Sequence, residues 1–93
     1  MSIYMIRKKT KPIFEKFGVR KAAIFGSYAR GESKKTSDID MLLKLKHSLT
    51  FFDVLRLKAR LEKELRRKVD IVEYEVIKPA IKRYVLKHQM PLL

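Results

Sequence analysis

The chain has 93 residues, 46% of them apolar, and a formal net charge of +13 from 23 Lys+Arg against 10 Asp+Glu. That length supports one small core and no second one, so residues 1–93 read as a single folded domain, and the apolar share argues against disorder. No cysteine is present, which excludes disulfides and thiolate metal sites, and no apolar run approaches the roughly 18 residues of a membrane helix.

Met1 to Lys11 lacks the apolar core of a signal peptide, and a cytoplasmic location is expected. The positive charge suits a polyanionic partner: a nucleotide, a nucleic acid or an acidic protein face. It also suits a well-solvated surface of thermophile type, since Asn is absent, Gln occurs once and Lys, Arg and Glu abound.

Ile3, Ile6, Ile13, Phe14 and Phe17 recur at near-helical spacing, and Gly18 is placed to end that helix. Pro12 lacks the N–H that an interior turn needs, so the segment is expected to break there or to start a second helical piece. Val19 to Phe25 reads as a short, largely buried strand, ended by Gly26-Ser27. Tyr28-Ala29-Arg30 then opens a short helix and Gly31 to Ser37 forms a polar loop. Asp38 to Leu45 reads as a second strand, and Ser48 or Thr50 as the cap of the next helix.

That helix carries an apolar stripe of Phe51, Phe52, Val54, Leu55, Leu57, Leu61 and Leu65, with Arg56, Lys58, Arg60, Lys63 and Arg67 facing outward. Lys68 to Tyr74 is a third strand and Ile77 to Leu86 a last helix with Pro79 in its first turn. Four helices alternating with three strands imply an α+β domain, helices packed on a small sheet. Tyr84, Val85, Met90, Leu92 and Leu93 are candidates for an exposed apolar contact near the C-terminus, or for a loose tail.

Chemistry concentrates in Gly26-Ser27, a ten-residue spacer from Tyr28 to Ser37, and Asp38-Ile39-Asp40. Alternate residues of a strand share a face, so Asp38 and Asp40 point the same way. Mg²⁺ bound to a nucleotide takes one or two protein carboxylates, with phosphate and water completing the octahedron. Asp70 interrupts the third apolar strand, where a lone buried charge is costly. If the two strands are neighbours, three carboxylates converge, which calls for cations to neutralise them. Two Mg²⁺ ions do so and clamp both oxygens of an in-line phosphoryl displacement; Asp70 is then placed to take the proton of the incoming hydroxyl.

Gly26 lets backbone approach phosphate, and Ser27 offers a hydroxyl and an N–H to phosphate oxygens. Arg30, one turn further on, reaches phosphate or pairs with Glu32 or Asp38. His47 and His88 have no partners at metal-ligand spacing and read as surface residues. The basic run from Arg56 to Lys68 has no aromatic residues interleaved on its polar side for base stacking, so it reads as a protein-facing or solvated surface more readily than an RNA site.

Gly26-Ser27-Tyr28-Ala29-Arg30-Gly31, then Ser37-Asp38-Ile39-Asp40, then Val69-Asp70-Ile71-Val72 resemble the nucleotidyltransferase superfamily that includes DNA polymerase beta. More closely they resemble the minimal nucleotidyltransferases (MNT), antitoxins paired with HEPN-domain toxins. The resemblance spans nearly the whole chain. It implies a mixed sheet flanked by helices, Mg²⁺ on Asp38, Asp40 and Asp70, and ATP bound through Gly26 and Ser27. It further implies transfer of AMP to a tyrosine of a HEPN toxin, the partner of a type VII toxin–antitoxin pair. Nucleotidyl transfer to tRNA or other RNA, and a non-catalytic toxin- or RNA-binding module, are the alternative readings.

Overall fold

The computed structural model describes residues 2–25 and 38–93. In chain order these form α1 (Ile3–Phe17), β1 (Lys21–Phe25), β2 (Ile39–Lys44), α2 (Phe51–Leu65), β3 (Val69–Glu73), a 3₁₀ turn (Tyr74–Val76), α3 (Pro79–His88) and β4 (Met90–Pro91). The strands make one mixed sheet in the order β3-β2-β1-β4. β1 is antiparallel to both β2 and β4, whereas β2 and β3 run parallel, joined through α2. The expected mixed sheet flanked by helices is therefore present. The short helix read at Tyr28-Ala29-Arg30 and the polar loop after it lie outside the described residues.

Alternation along the strands sorts the sheet into two faces. Ala22, Ile24, Ile39, Met41, Leu43 and Val69 face α1 and α2 and pack with Ile6, Ile13, Phe14, Leu57, Leu61 and Leu65 in the main core. The opposite face carries two rows across the register: Ala23, Leu42 and Val72, then Phe25, Asp40 and Asp70. A hollow of about 390 Å³ separates this face from α3, lined by Phe25, Leu42, Val72 and Val85 among others. Burial of Ala23 and Leu42 shows that the second face is partly covered as well.

α1 is continuous through Pro12, contrary to the expected break. Pro12 sits on the solvent side, so the Lys8 carbonyl it leaves unpaired is open to water. Ile6, Ile13 and Phe14 meanwhile hold the other face on the core. Thr10, fully buried, donates its hydroxyl to the Ile6 carbonyl at 2.7 Å, the back-bond that satisfies a polar side chain inside a helix.

Gly18 ends α1 in the left-handed region at φ 69°, its N–H donating to Glu15 O while the Val19 N–H reaches Phe14 O at 2.9 Å. A Cβ at Gly18 would meet the Lys46 side chain as well as the backbone penalty. Gly18→Ala is expected to cost about 1–2 kcal/mol, read as a lower urea midpoint at unchanged slope.

α2 begins with a reciprocal capping box: the Asp53 N–H donates to Thr50 Oγ1 at 3.1 Å, and the Thr50 N–H to Asp53 Oδ2 at 2.9 Å. The backbone hydrogen bond from Thr50, more than its hydroxyl or nearby Arg56, holds the Asp53 carboxyl below its ordinary range. A depressed folded-state pKa stabilises the native state above the unfolded value of 3.8, and that contribution is lost as pH falls through the folded value. Thr50→Ala keeps the backbone N–H that Asp53 accepts and loses only the hydroxyl cap, so it is expected to cost about 1 kcal/mol with little dependence on pH, whereas Asp53→Asn should remove the acid-sensitive part; urea titrations across pH 2–6 check both.

The C-terminal residues are docked. Met90 and Pro91 pair with Ile24 and Ala23, the Leu92 N–H donates to Ala22 O at 2.8 Å, and Leu92 enters the core. Arg7 Nε also donates to the Pro91 carbonyl at 2.9 Å, tying the new edge to α1. Of the expected C-terminal contact residues, Leu92 is therefore buried, Val85 and Met90 are half-buried, and Tyr84 and Leu93 remain exposed.

Candidate active site

Two of the three sequence-predicted carboxylates meet in the sheet. Asp40 of β2 and Asp70 of β3 are direct partners in the parallel register, and Phe25 faces Asp40 from β1. Partners in a sheet present their side chains on the same face, so both carboxyl groups project from the face opposite α1 and α2. Asp40 is half-buried and Asp70 exposed. The greasy neighbours explain why an acid is held there: Ile39, Met41 and Val69 are fully buried on the other face, locking the strand register and hence the acid row.

Asp38 precedes β2 and is exposed. The ladder begins one residue later, where the Ile39 N–H donates to the Lys68 carbonyl at 2.9 Å. Among the described residues no group of three His, Cys, Asp or Glu side chains is gathered as a metal site. The described residues thus show a facing pair and not the expected convergence of three: Asp38 stands before the first residue of β2, so the sheet register does not place it beside Asp40 and Asp70. Gly26, Ser27 and Arg30 lie outside the described residues; Gly26 is joined covalently to Phe25, the residue opposite Asp40.

The donor set suits a hard divalent cation. Mg²⁺ takes oxygen ligands and asks for one or two protein carboxylates when phosphate supplies the rest, and a facing Asp pair provides two. Like charges at facing positions of neighbouring strands repel, and a cation between them removes that penalty.

Asp40 and Asp70 also line a groove of about 650 Å³ that passes round the outer edge of β3 to α2 and the 3₁₀ turn. Its walls include Phe51, Val54, Leu55, Lys58, Ile71 and Val76. This feature was not legible in sequence, because Phe51, Phe52 and Leu55 read as part of the core stripe of α2. In the fold only Leu57, Leu61 and Leu65 of that stripe are buried, while Phe51 and Phe52 are exposed and meet edge to face with centroids 6.2 Å apart.

Beyond the groove, Tyr74 links the strand end to the end of α3. Its hydroxyl donates to Gln89 Oε1 at 2.8 Å, and the Lys21 ammonium lies 5.6 Å from its ring centre. Burial raises the Tyr74 pKa above 10.0, so the phenol stays protonated in this contact.

The sequence profile of the family described as "Polymerase beta, Nucleotidyltransferase" matches residues 8–93. A protein of Methanocaldococcus jannaschii, provisionally named a protein adenylyltransferase, is 43% identical over 93 residues, covering 100% of each chain. A solved structure provisionally described as a minimal nucleotidyltransferase superposes with a TM-score of 0.82 at 32% identity, covering 98% of this chain and 96% of the other. A chain from the complex of a tri-AMPylated Shewanella oneidensis HEPN toxin with MNT antitoxin shares the fold, with a TM-score of 0.72 at 18% identity over 98% of this chain and 71% of that one. With its mixed sheet, its facing aspartates and these similarities, the chain belongs to the polymerase beta nucleotidyltransferase family.

Proposed function

We propose that this chain is a single-domain, Mg²⁺-dependent protein adenylyltransferase. It moves AMP from ATP to a tyrosine hydroxyl of a HEPN-domain toxin, releases pyrophosphate, and so serves as the antitoxin of a type VII pair in the cytoplasm. The observation that carries this reading is the facing of Asp40 and Asp70 across β2 and β3. The similarity along the full chain to a protein provisionally named a protein adenylyltransferase, and the likeness of fold to a chain of a HEPN toxin–MNT antitoxin complex, support the choice of acceptor. No helix among the described residues is long and apolar enough to cross a membrane.

In this reading Asp38, Asp40 and Asp70 would hold two Mg²⁺ ions, which would supply charge neutralisation for the phosphates. Gly26 and Ser27 bind the triphosphate, and Arg30 contacts phosphate or steadies a carboxylate. The tyrosine oxygen forms a bond to the α-phosphorus while the α–β bridging bond breaks and pyrophosphate departs. The phenolic proton passes to the Asp70 carboxylate. Most of the barrier lowering comes from alignment and electrostatics, since no covalent intermediate on the protein is required. The hollow over Leu42 and Val72, on the same sheet face one register row from Asp40 and Asp70, offers an apolar surface for the base.

The test is incubation with α-phosphate-labelled ATP, Mg²⁺ and a HEPN toxin, with total tRNA in a parallel reaction. Label on a toxin tyrosine, abolished by a chelator, is the expected result. Label entering RNA instead, or neither acceptor, refutes the proposed activity.

A further inference from the structure

The same groove that ends at Asp40 and Asp70 is built for something other than a nucleotide. Its rim carries large apolar side chains in contact with water: Phe51 is 73% exposed, Val76 66% and Leu55 45%, although α2 buries Leu57 and Leu61 completely. Its wall is the outer side of β3, an edge strand in the described sheet. The Ile39 N–H bonds to Lys68 O, and alternation along a parallel ladder then turns the Ile71 N–H and C=O away from β2. The Val69 N–H, turned the same way, is already taken by Glu62 Oε2 at 2.9 Å, which closes one end of the edge and leaves the pairing surface at Ile71.

Charge adds direction. Lys58 lines both this groove and an adjoining hollow of about 520 Å³ formed with Glu62, Arg66, Arg67 and Lys68. The apolar rim and the two carboxylates line one groove, and Lys58 joins that groove to the basic hollow, which together give a path along the surface.

We infer that this path seats the acceptor: an extended segment of the partner protein adds to the edge of β3 at Ile71, lays apolar side chains on Phe51, Leu55 and Val76, and points acidic side chains at Lys58 and the basic hollow. The inference rests on the adenylyltransferase reading for the identity of the occupant as acceptor. An extended chain is the occupant that supplies both a donor and an acceptor to an open strand edge, while alternate side chains enter the flanking surfaces. An RNA strand would gain the basic hollow but has no backbone amide to pair with the open edge at Ile71, and it would lay its sugar–phosphate backbone against the apolar rim. A segment that is apolar at one end and acidic at the other matches every stretch of the path, and it carries its tyrosine past the carboxylates between those ends.

The test titrates the ¹⁵N-labelled chain with two synthetic peptides of equal length. Each has a central tyrosine and a Leu/Val-rich half; the other half is glutamate-rich in one and lysine-rich in the other. The glutamate peptide is expected to shift the amides of Leu55, Lys58, Ile71 and Glu73 and to bind about ten-fold more tightly than the lysine peptide. Leu55→Asp with Val76→Asp, both at exposed positions, should weaken it by about ten-fold while core amides keep their positions. Lys58→Glu, a second and independent variant, should shrink the preference for the glutamate peptide to about three-fold or less, since Arg66, Arg67 and Lys68 remain.

Equal binding of the two peptides, shifts confined to other surfaces, undiminished binding by these variants, or a single-stranded RNA oligonucleotide shifting the same amides more strongly would each overturn the inference. Titration with Mg²⁺ and ATP is run on the same samples. Peptide bound at β3 without nucleotide binding or transfer would count against the enzymatic reading, and transfer with no use of this groove would count against the docking site alone.

Discussion

Asp70→Asn is expected to lower AMP transfer by about 10³-fold, with a change in unfolding free energy of less than about 1 kcal/mol. The size of the first effect follows from the two roles proposed for Asp70, a charged oxygen ligand and the acceptor of the tyrosine proton. The smallness of the second follows from position: Asp70 is exposed, and its neighbours Val69 and Ile71 keep β3 on the core. Asp40→Asn should be similarly severe, because Asp40 faces Asp70 in the register and the proposed mechanism uses the two as one cation site. The double variant should therefore lose little more than either single one, a non-additivity that separate structural roles would not produce. Radiolabel transfer and thermal unfolding on the same preparations check both halves.

Leu61→Ala is expected to cost about 3 kcal/mol, whereas Leu55→Ala on the same helix should cost less than about 0.5 kcal/mol. Leu61 is completely buried between the sheet and α1, so its removal forfeits transfer energy and leaves a cavity. Leu55 is 45% exposed and already wetted. For a protein of 93 residues the Leu61 variant should melt roughly 15 °C lower, against a degree or two for Leu55. That loss leaves about 2–7 kcal/mol of a typical stability of about 5–10 kcal/mol, so the variant should stay folded at 25 °C while melting earlier. Differential scanning calorimetry distinguishes the two outcomes directly.

This pair of leucines also shows where sequence reading stops. Periodicity placed Leu55 and Leu61 on one apolar stripe with Phe51 and Phe52, because a helix pattern records which residues share a side and not how far the neighbouring layer extends. Among the described residues no layer covers the first turns of α2, where Phe51, Phe52 and Leu55 are exposed.

Pro12 misleads for a related reason. Its missing hydrogen bond is a local cost, and the burial of Ile6, Ile13 and Phe14 on the opposite face outweighs it. β4 has no pattern of its own: two residues, one of them proline, join the sheet through pairing with Ala23 and Ile24 and through the burial of Leu92.

What was legible was local or strongly patterned: Gly18 as a left-handed stop, Thr50 as a cap, three apolar strands, and acids placed where such strands should not carry them. Asp40 and Asp70 could be paired only conditionally, since their meeting depends on β2 and β3 lying side by side. The parallel register supplies that condition. Asp38 shares the motif spacing, yet the strand begins after it, and strand alternation does not govern its side chain.

The facing of Asp40 and Asp70 is most directly tested by crystals grown with Mn²⁺ and a non-hydrolysable ATP analogue, located by anomalous scattering. The expected result is a cation bridged by one oxygen from each of Asp40 and Asp70, at octahedral oxygen distances of roughly 2.1 Å, with triphosphate oxygens completing the shell. An ion that binds the analogue with neither aspartate in its shell, or no ion between β2 and β3 at saturating Mn²⁺, would contradict it.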